Sequence, residues 1–509
     1  MAATPAARAM MTPDTAAAAP ARVVHAEALQ DALAPRLIDD ESVVVSERRV
    51  QTRRGPLTYE VRVGRVPIRN DDTGQVRGRL FFVAYVVKTK GPRRPITFAW
   101  NGGPLVASAI IHMDGLGPRR RTAQGMVDNP DTLLADTDLV FMDAMETGFS
   151  RPAAPEFSPE FMNMTGDVNA TAEFIRAYRA RFRTGDQPLF IAGESYGVFR
   201  AAALAEKLSA AHVDIAGAIL LSGDIPNIPQ PPEFYDAMHI PARTAAAFHH
   251  KRLAPDLMRD REATMQAALD WARTVYMPAL ARRGTLAADE REAIATTLAR
   301  YTGISPAQVN RETLVVPIQQ YLTTSLSLDG SKALSDEDMR VRIDEDRSDV
   351  RSAELVDSYI RGELGYTTDL TYAGLETGYS PYPAPRKLSI RDRWIYNQPG
   401  VTPEIVAEVK RTWEVSPLAR ANPTWIINAM KQDKDMRVFV ATGRFDPLNM
   451  CEGNAIAAAQ LPTDLRTRMS THCYESGHII FRDNDARAPF LHDLSAFIQR
   501  TMAERQPKP

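Results

Sequence analysis

A serine hydroxyl attacks a carbonyl usefully only when a base takes its proton and a third group orients that base. Ser195 of this 509-residue chain sits in "LFIAGESYGVFRAAALAE", Leu189 to Glu206. A Gly-x-Ser-x-Gly pentapeptide arises by chance in roughly one chain in ten of this length, so context decides. Leu189 to Ala192 suits a short buried strand, and Val198 to Leu208 is rich in helix formers. A sharp turn between such elements lifts the hydroxyl clear of the sheet and puts it near a helix N-terminus. Small glycines on either side let strand, turn and helix crowd together. On these residues alone, a nucleophile and an ordinary turn serine are equal readings.

Nine histidines are candidates for the base. His478 follows a strand-like run, lies in the "ESGH" turn and precedes a final helix; His472, within that strand, is its main rival. For the orienting acid, Asp446 in "GRFDP" directly follows the strand-like "MRVFVATG". Loops at the carboxyl ends of parallel strands converge on one face of a sheet. Ser195, Asp446 and His478 then share a face in the order Ser, Asp, His, the order of α/β-hydrolases. An oxyanion hole needs two amide donors. Tyr196 N–H supplies one, and Gly103 N–H, in the glycine turn "WNGGP", the other.

The elements that must carry these residues are legible in the pattern. Ser42 to Trp100 is strand-like, broken by the turn "NDDTG"; afterwards buried strands (Thr137 to Asp143, Leu189 to Ala192, Ala216 to Gly223) alternate with helices. Such alternation predicts a mainly parallel sheet covered on both faces. It stops from about Pro226 to Lys434 and resumes at Met436. The predicted architecture is a flexible Ala/Pro-rich tail (1–30), an α/β core in two parts (31–227 and 433–509) and a mostly helical insertion (228–432). The composition, 44% hydrophobic and 24% charged with a net charge of -2, suits an ordinary globular protein and gives no sign of a nucleic-acid partner. The longest apolar stretches fall short of the roughly 20 residues that a membrane span needs. The first twenty residues lack the continuous apolar core of a secretory signal, and the compartment stays open.

Five ordered blocks extend the reading: "WNGGP", "GLGPRR" with "NPDTLLADTDLVFMDAMETGFSRP", "GESYG", "VFVATGRFDP" and "ESGH". In these the chain resembles serine carboxypeptidases of the carboxypeptidase Y type, over most of residues 57–227 and 433–500. The resemblance implies an α/β-hydrolase with a helical cap, a Ser195, Asp446 and His478 triad, and an oxyanion hole of Gly103 and Tyr196. It also implies that Asn101 and Glu194 hydrogen-bond the free C-terminal carboxylate of a peptide. Two bare carboxylates repel, so that role requires Glu194 to share a proton with the substrate. Departures fall around the pocket. Leu105 replaces a glycine, Ile479 replaces a methionine, and a second carboxylate-binding acid of the family would fall at Gly115, with Asp114 adjacent.

The implied activity is release of C-terminal amino acids from peptides through an acyl-enzyme on Ser195, with no metal or organic cofactor. The same machinery serves an acyltransferase or a small-molecule esterase or amidase, and a non-catalytic binding protein on this scaffold is the remaining alternative. Bland readings accompany the rest. Asp114 is expected to be a solvated or turn-forming acid. Cys451 and Cys473 could form one bridge, although a buried free thiol is the commoner use. His249 and His250 read as a surface pair, and the charge-rich run from Ser335 to Glu354 as a solvated helix face or linker.

Overall fold

Alternating β-branched and aromatic residues near the start of the sheet region produce long strands, and the later apolar runs produce short, fully buried ones. A computed structural model describes residues 22–24, 42–89, 91, 94–224, 230–325, 333–343, 350–375, 393–397, 399–412 and 424–505. Apart from Arg22–Val24, the Ala/Pro-rich tail lies outside the described residues. The strands are β1 (Arg22–Val24), β2 (Val43–Thr52), β3 (Gly55–Arg69), β4 (Val76–Val86), β5 (Ile96–Trp100), β6 (Arg119–Thr122), β7 (Gly125–Asp128), β8 (Asp138–Met142), β9 (Arg151–Pro152), β10 (Leu189–Glu194), β11 (Ile215–Leu221), β12 (Arg437–Gly443) and β13 (Met469–Tyr474).

One eleven-stranded sheet runs in the order β1-β2-β3-β4-β8-β5-β10-β11-β12-β13, with β9 pairing β4 at the side; β6 and β7 form a separate hairpin. Pairing is antiparallel from β1 through β4 to β8, then parallel from β8 to β13. Every residue of β10 and β11 is buried, which is why these strands read as continuous apolar runs instead of alternating ones.

The helices include α1 (Met164–Phe182), α2 (Gly197–Ala210), α3 (Pro232–Met238), α4 (Ile240–His249), α5 (Arg261–Trp271), α6 (Ala288–Thr302), α7 (Pro403–Thr412), α8 (Trp425–Gln432), α9 (Cys451–Ala459) and α10 (Asn484–Glu504). Asn163 caps α1 by accepting the Gly166 amide at 2.8 Å. On one sheet face Phe98 and Ile191 pack with Phe174 and Tyr178 of α1 and Leu204 of α2. On the other, Phe190 and Phe439 pack with Phe490 and Phe497 of α10. This order, with its antiparallel leading edge and its β5/β8 exchange, is the α/β-hydrolase fold that the resemblance implies, and its helices on both faces are what the alternation predicts. Described residues between β11 and β12 are largely helical, and the chain returns to the same sheet at β12.

Candidate active site

Ser195 stands on the turn between β10 and α2 with a left-handed backbone (φ 58°), and its amide donates to Leu221 O at 2.9 Å. A non-glycine residue rarely takes this conformation, and the turn holds it there. The glycines beside it have steric work. A Cβ on Gly193 would overlap the carbonyl of Gly197, and one on Gly102 would overlap the Tyr196 amide. The "WNGGP" turn after β5 therefore lies directly against the start of α2, with Gly103 following at φ 108°. Leu105, where the resembled family has glycine, keeps a positive φ of 72° and is buried.

Arg200 locks this junction. Its Nε donates to Asp167 of α1 at 2.7 Å and its Nη1 to Asn101 O at 2.8 Å, with the side chain 1% exposed. No local motif points to Arg200, because its partners Asp167 and Asn101 lie on other elements. A charged residue among the apolar and alanine positions of a predicted buried helix was the available signal.

Asp446, on the loop after β12, is fully buried. Its Oδ2 lies 2.8 Å from His478 Nδ1 and accepts from Asn449 Nδ2 at 2.8 Å; its Oδ1 accepts the Leu448 amide at 2.8 Å. Asn449 Nδ2 also reaches Ser222 O at 3.1 Å and lies 3.3 Å from His478 Nδ1. One amide thus ties the loop after β11 to the Asp446 loop and the histidine. Next to them Asp224 is buried and accepts the Met450 amide at 2.9 Å. Burial, reinforced by the charge of Asp446, lifts Asp224 to about 7 despite that amide. His472, the rival base, instead faces Asp493 at 3.6 Å and stacks on Phe439.

His478 Nε2 lies 3.6 Å from Oε1 of Glu194, the residue preceding Ser195. Ser195 Oγ itself makes no hydrogen bond among the described residues. Burial works against a charge on His478, but Asp446, by proximity and hydrogen bond, and then Glu194 and Glu337 outweigh it and lift the imidazole to about 10. Burial raises Glu194, against the lowering effects of His478 and Asn101. Asn101 Nδ2 donates to Glu194 Oε2 at 2.7 Å, and its Oδ1 accepts the Ile111 amide at 2.8 Å. Asn101 and Glu194 therefore sit together, buried, beside the imidazole.

Three sequence expectations fail here. Asp114 is neither solvated nor turn-forming. It is buried, chelated by Arg121 through Nε (2.6 Å) and Nη2 (2.7 Å), and bound by Arg482 Nε at 2.8 Å. Of the charge-rich run, Ser335 to Ile343 is no solvated helix, whereas Val350 to Glu354 open a helix (Val350–Ser358). Glu337 O accepts the His478 amide at 2.5 Å, Met339 N donates to Phe445 O at 3.0 Å, and Arg340 bridges Asp338 and Asp483 at 2.6 Å each. Residues 344–349 of that run lie outside the described residues. Finally, Cys451 and Cys473 are not free thiols: they form a disulfide with Cα atoms 5.4 Å apart, joining the start of α9 to the end of β13.

The whole arrangement supplies a hydroxyl on a strained turn, an acid-oriented imidazole and a glycine turn against the helix start, all at the carboxyl ends of β5, β10, β12 and β13. Residues 64–226 match the family model described as serine carboxypeptidase. No curated protein matches the chain. Solved structures that resemble it include a thermostable carboxyl esterase from Bacillus coagulans (11% identity, 86% of this chain and 99% of that one, TM-score 0.36). Another is a proline iminopeptidase from Mycobacterium smegmatis (11% identity, 90% and 100%, TM-score 0.31). A haloalkane dehalogenase variant from Bradyrhizobium elkanii is a third (10% identity, 87% and 98%, TM-score 0.36). No described helix is long and apolar enough to cross a membrane. The chain is a serine hydrolase on an α/β-hydrolase fold, and its residues 64–226 carry the pattern of the serine carboxypeptidase family.

Proposed function

We propose that the protein is a serine carboxypeptidase. Ser195 Oγ attacks the last peptide carbonyl while His478 Nε2 takes its proton, and Asp446 holds the imidazole through Nδ1. The amides of Gly103 and Tyr196 receive the negative charge of the tetrahedral intermediate. Collapse breaks the C–N bond, the departing amine takes the proton from His478, and the acyl group stays on Ser195. Water, activated by the same imidazole, then releases the shortened peptide. Residues 228–432 act as a cap over this site.

The observation that carries the reading is the Asn101–Glu194–His478 contact, a hydrogen bond of 2.7 Å followed by a charge pair at 3.6 Å. Glu194 and His478 titrate as a coupled pair. A substrate carboxylate arriving beside Glu194 disfavours a second negative charge there, so the proton that the pair shares moves to Glu194. That move leaves His478 neutral, the form a general base requires. A free carboxylate thus binds and activates in one step.

N-blocked dipeptides offered as free acids and as amides test this. Release of the terminal amino acid from the free acid, at a much higher kcat/KM than from the amide, is expected. Indifference to amidation would overturn the carboxypeptidase reading and favour an esterase or acyltransferase on the same residues.

A further inference from the structure

The position where the resembled family places a second acid is Gly115, and the structure leaves little room for one. A Cβ there would lie 3.1–3.2 Å from the ring of Phe481, which is buried. What stands next to that position is a guanidinium. Arg482, four residues after His478, donates from Nε to Asp114 Oδ2 at 2.8 Å and from Nη1 to Glu337 Oε2 at 3.2 Å. Asp114 is itself fixed by the bidentate Arg121, whose side chain is 7% exposed. One side of Arg482 is therefore bound to a rigid, buried acid, and the other to a residue of the cap.

The two contacts differ in kind. Glu337 is 53% exposed and Arg482 33% exposed, so their ion pair is solvent-screened and weak. An anion that fits better replaces it at little cost. Glu337 also touches the site by its backbone, since its carbonyl accepts the His478 amide. The charges of both Arg482 and Glu337 act on Glu194. Glu194, His478, Glu337 and Arg482 thus form one electrostatic neighbourhood beside Ser195. An arginine keeps its charge at any ordinary pH and binds carboxylates through a planar fork.

We propose that Arg482 is the charged anchor for the free C-terminal carboxylate of the substrate, which it takes up in exchange for the side chain of Glu337. This deepens the carboxypeptidase reading and rests on it. Glu194 and Asn101 meet one side of the carboxylate by hydrogen bonding, and Arg482 supplies the opposite charge that a second acid could not. Glu337 serves as an internal stand-in for the substrate carboxylate and keeps the guanidinium oriented between turnovers.

Steady-state kinetics on an N-blocked dipeptide, as free acid and as ethyl ester, test it with the full-length chain. For Arg482→Gln the ratio of kcat/KM for the acid to that for the ester falls at least tenfold, mainly through KM, and Arg482→Lys recovers part of it. For Glu337→Gln, which removes the competitor, KM for the acid falls about threefold. Labelling of Ser195 by a fluorophosphonate reports that each variant keeps a folded site. An unchanged acid-to-ester ratio in Arg482→Gln overturns the proposal; if that variant does not fold, an unchanged or raised KM in Glu337→Gln does so. A wild-type protein that cleaves the ester but not the acid overturns the carboxypeptidase reading itself, a separate result.

Discussion

His478 Nε2 faces the carboxylate of Glu194 at 3.6 Å while His478 Nδ1 faces that of Asp446 at 2.8 Å, so the imidazole lies between two buried acids. Glu337 adds a third negative charge from the cap side. Together they outweigh burial, and the free protein holds its imidazole protonated well above the ordinary range. The pH behaviour follows from that sign.

Glu194→Gln removes one of the groups that raise His478, so the imidazole loses its proton at a lower pH. Ester hydrolysis, which needs only a neutral imidazole, should gain activity on the acid side, its acidic limb moving down by about one pH unit. With a free-acid substrate the wild type should lose activity as pH rises to where the proton shared by Glu194 and His478 departs. Glu194→Gln should lack that loss. Profiles of kcat/KM from about pH 4 to 11 check both limbs.

Asn449 has a role that the sequence did not announce. Its amide spans Asp446 Oδ2 and Ser222 O, so Asn449→Ala should leave Asp446 short of a donor and let its loop drift. The expected result is a loss of about tenfold in kcat with little change in KM, and a stability loss of about 1–3 kcal/mol for the group left unsatisfied. Denaturant unfolding and steady-state kinetics measure the two effects separately.

Removing Arg200 alone leaves Asp167 charged and buried. Arg200→Met should therefore destabilise the fold by about 3–5 kcal/mol, and Arg200→Met with Asp167→Leu should recover most of it. Activity should recover less, because neither variant restores the donor that Arg200 gives to Asn101 O. Thermal unfolding beside kcat/KM distinguishes the stabilising role from the positioning one.

The Cys451–Cys473 bridge follows the Asp446 loop on one side and precedes the His478 loop on the other, and closes a span of 22 residues. Loop-closure entropy puts its contribution at about 3 kcal/mol. Cys451→Ser with Cys473→Ala, or reductant added to the wild type, should lower the melting temperature and activity together. Such a bridge persists in an oxidising compartment, where the protein would keep it.

Much of this site could be read without coordinates, because its chemistry sits where strands end. Ser195 needs glycines that physically clear the turn, Asp446 follows a buried strand and His478 the partly exposed strand beside it, so position along the chain implied position on the sheet. The failures share a cause. Asp114 reads as solvated by its charge, and its burial depends on a fold that brings Arg482, 368 positions away, beside the nearby Arg121. The cysteine sequence leaves a bridge and free thiols both open, because pairing depends on how α9 and β13 pack. The run from Ser335 was read by its charge, whereas its decisive contacts are made by backbone groups, notably Glu337 O with the His478 amide. Arg200 and Asn449 were missed for the same reason. Their value lies in what distant segments bring to them.

The most direct measurement is intact-mass analysis after treating the protein with a fluorophosphonate, alongside Ser195→Ala and His478→Ala. The predicted result is one covalent adduct on the wild type, none on Ser195→Ala, and labelling slowed by at least a hundredfold on His478→Ala. An adduct that survives Ser195→Ala, or a wild type that never labels, would contradict a nucleophile at Ser195.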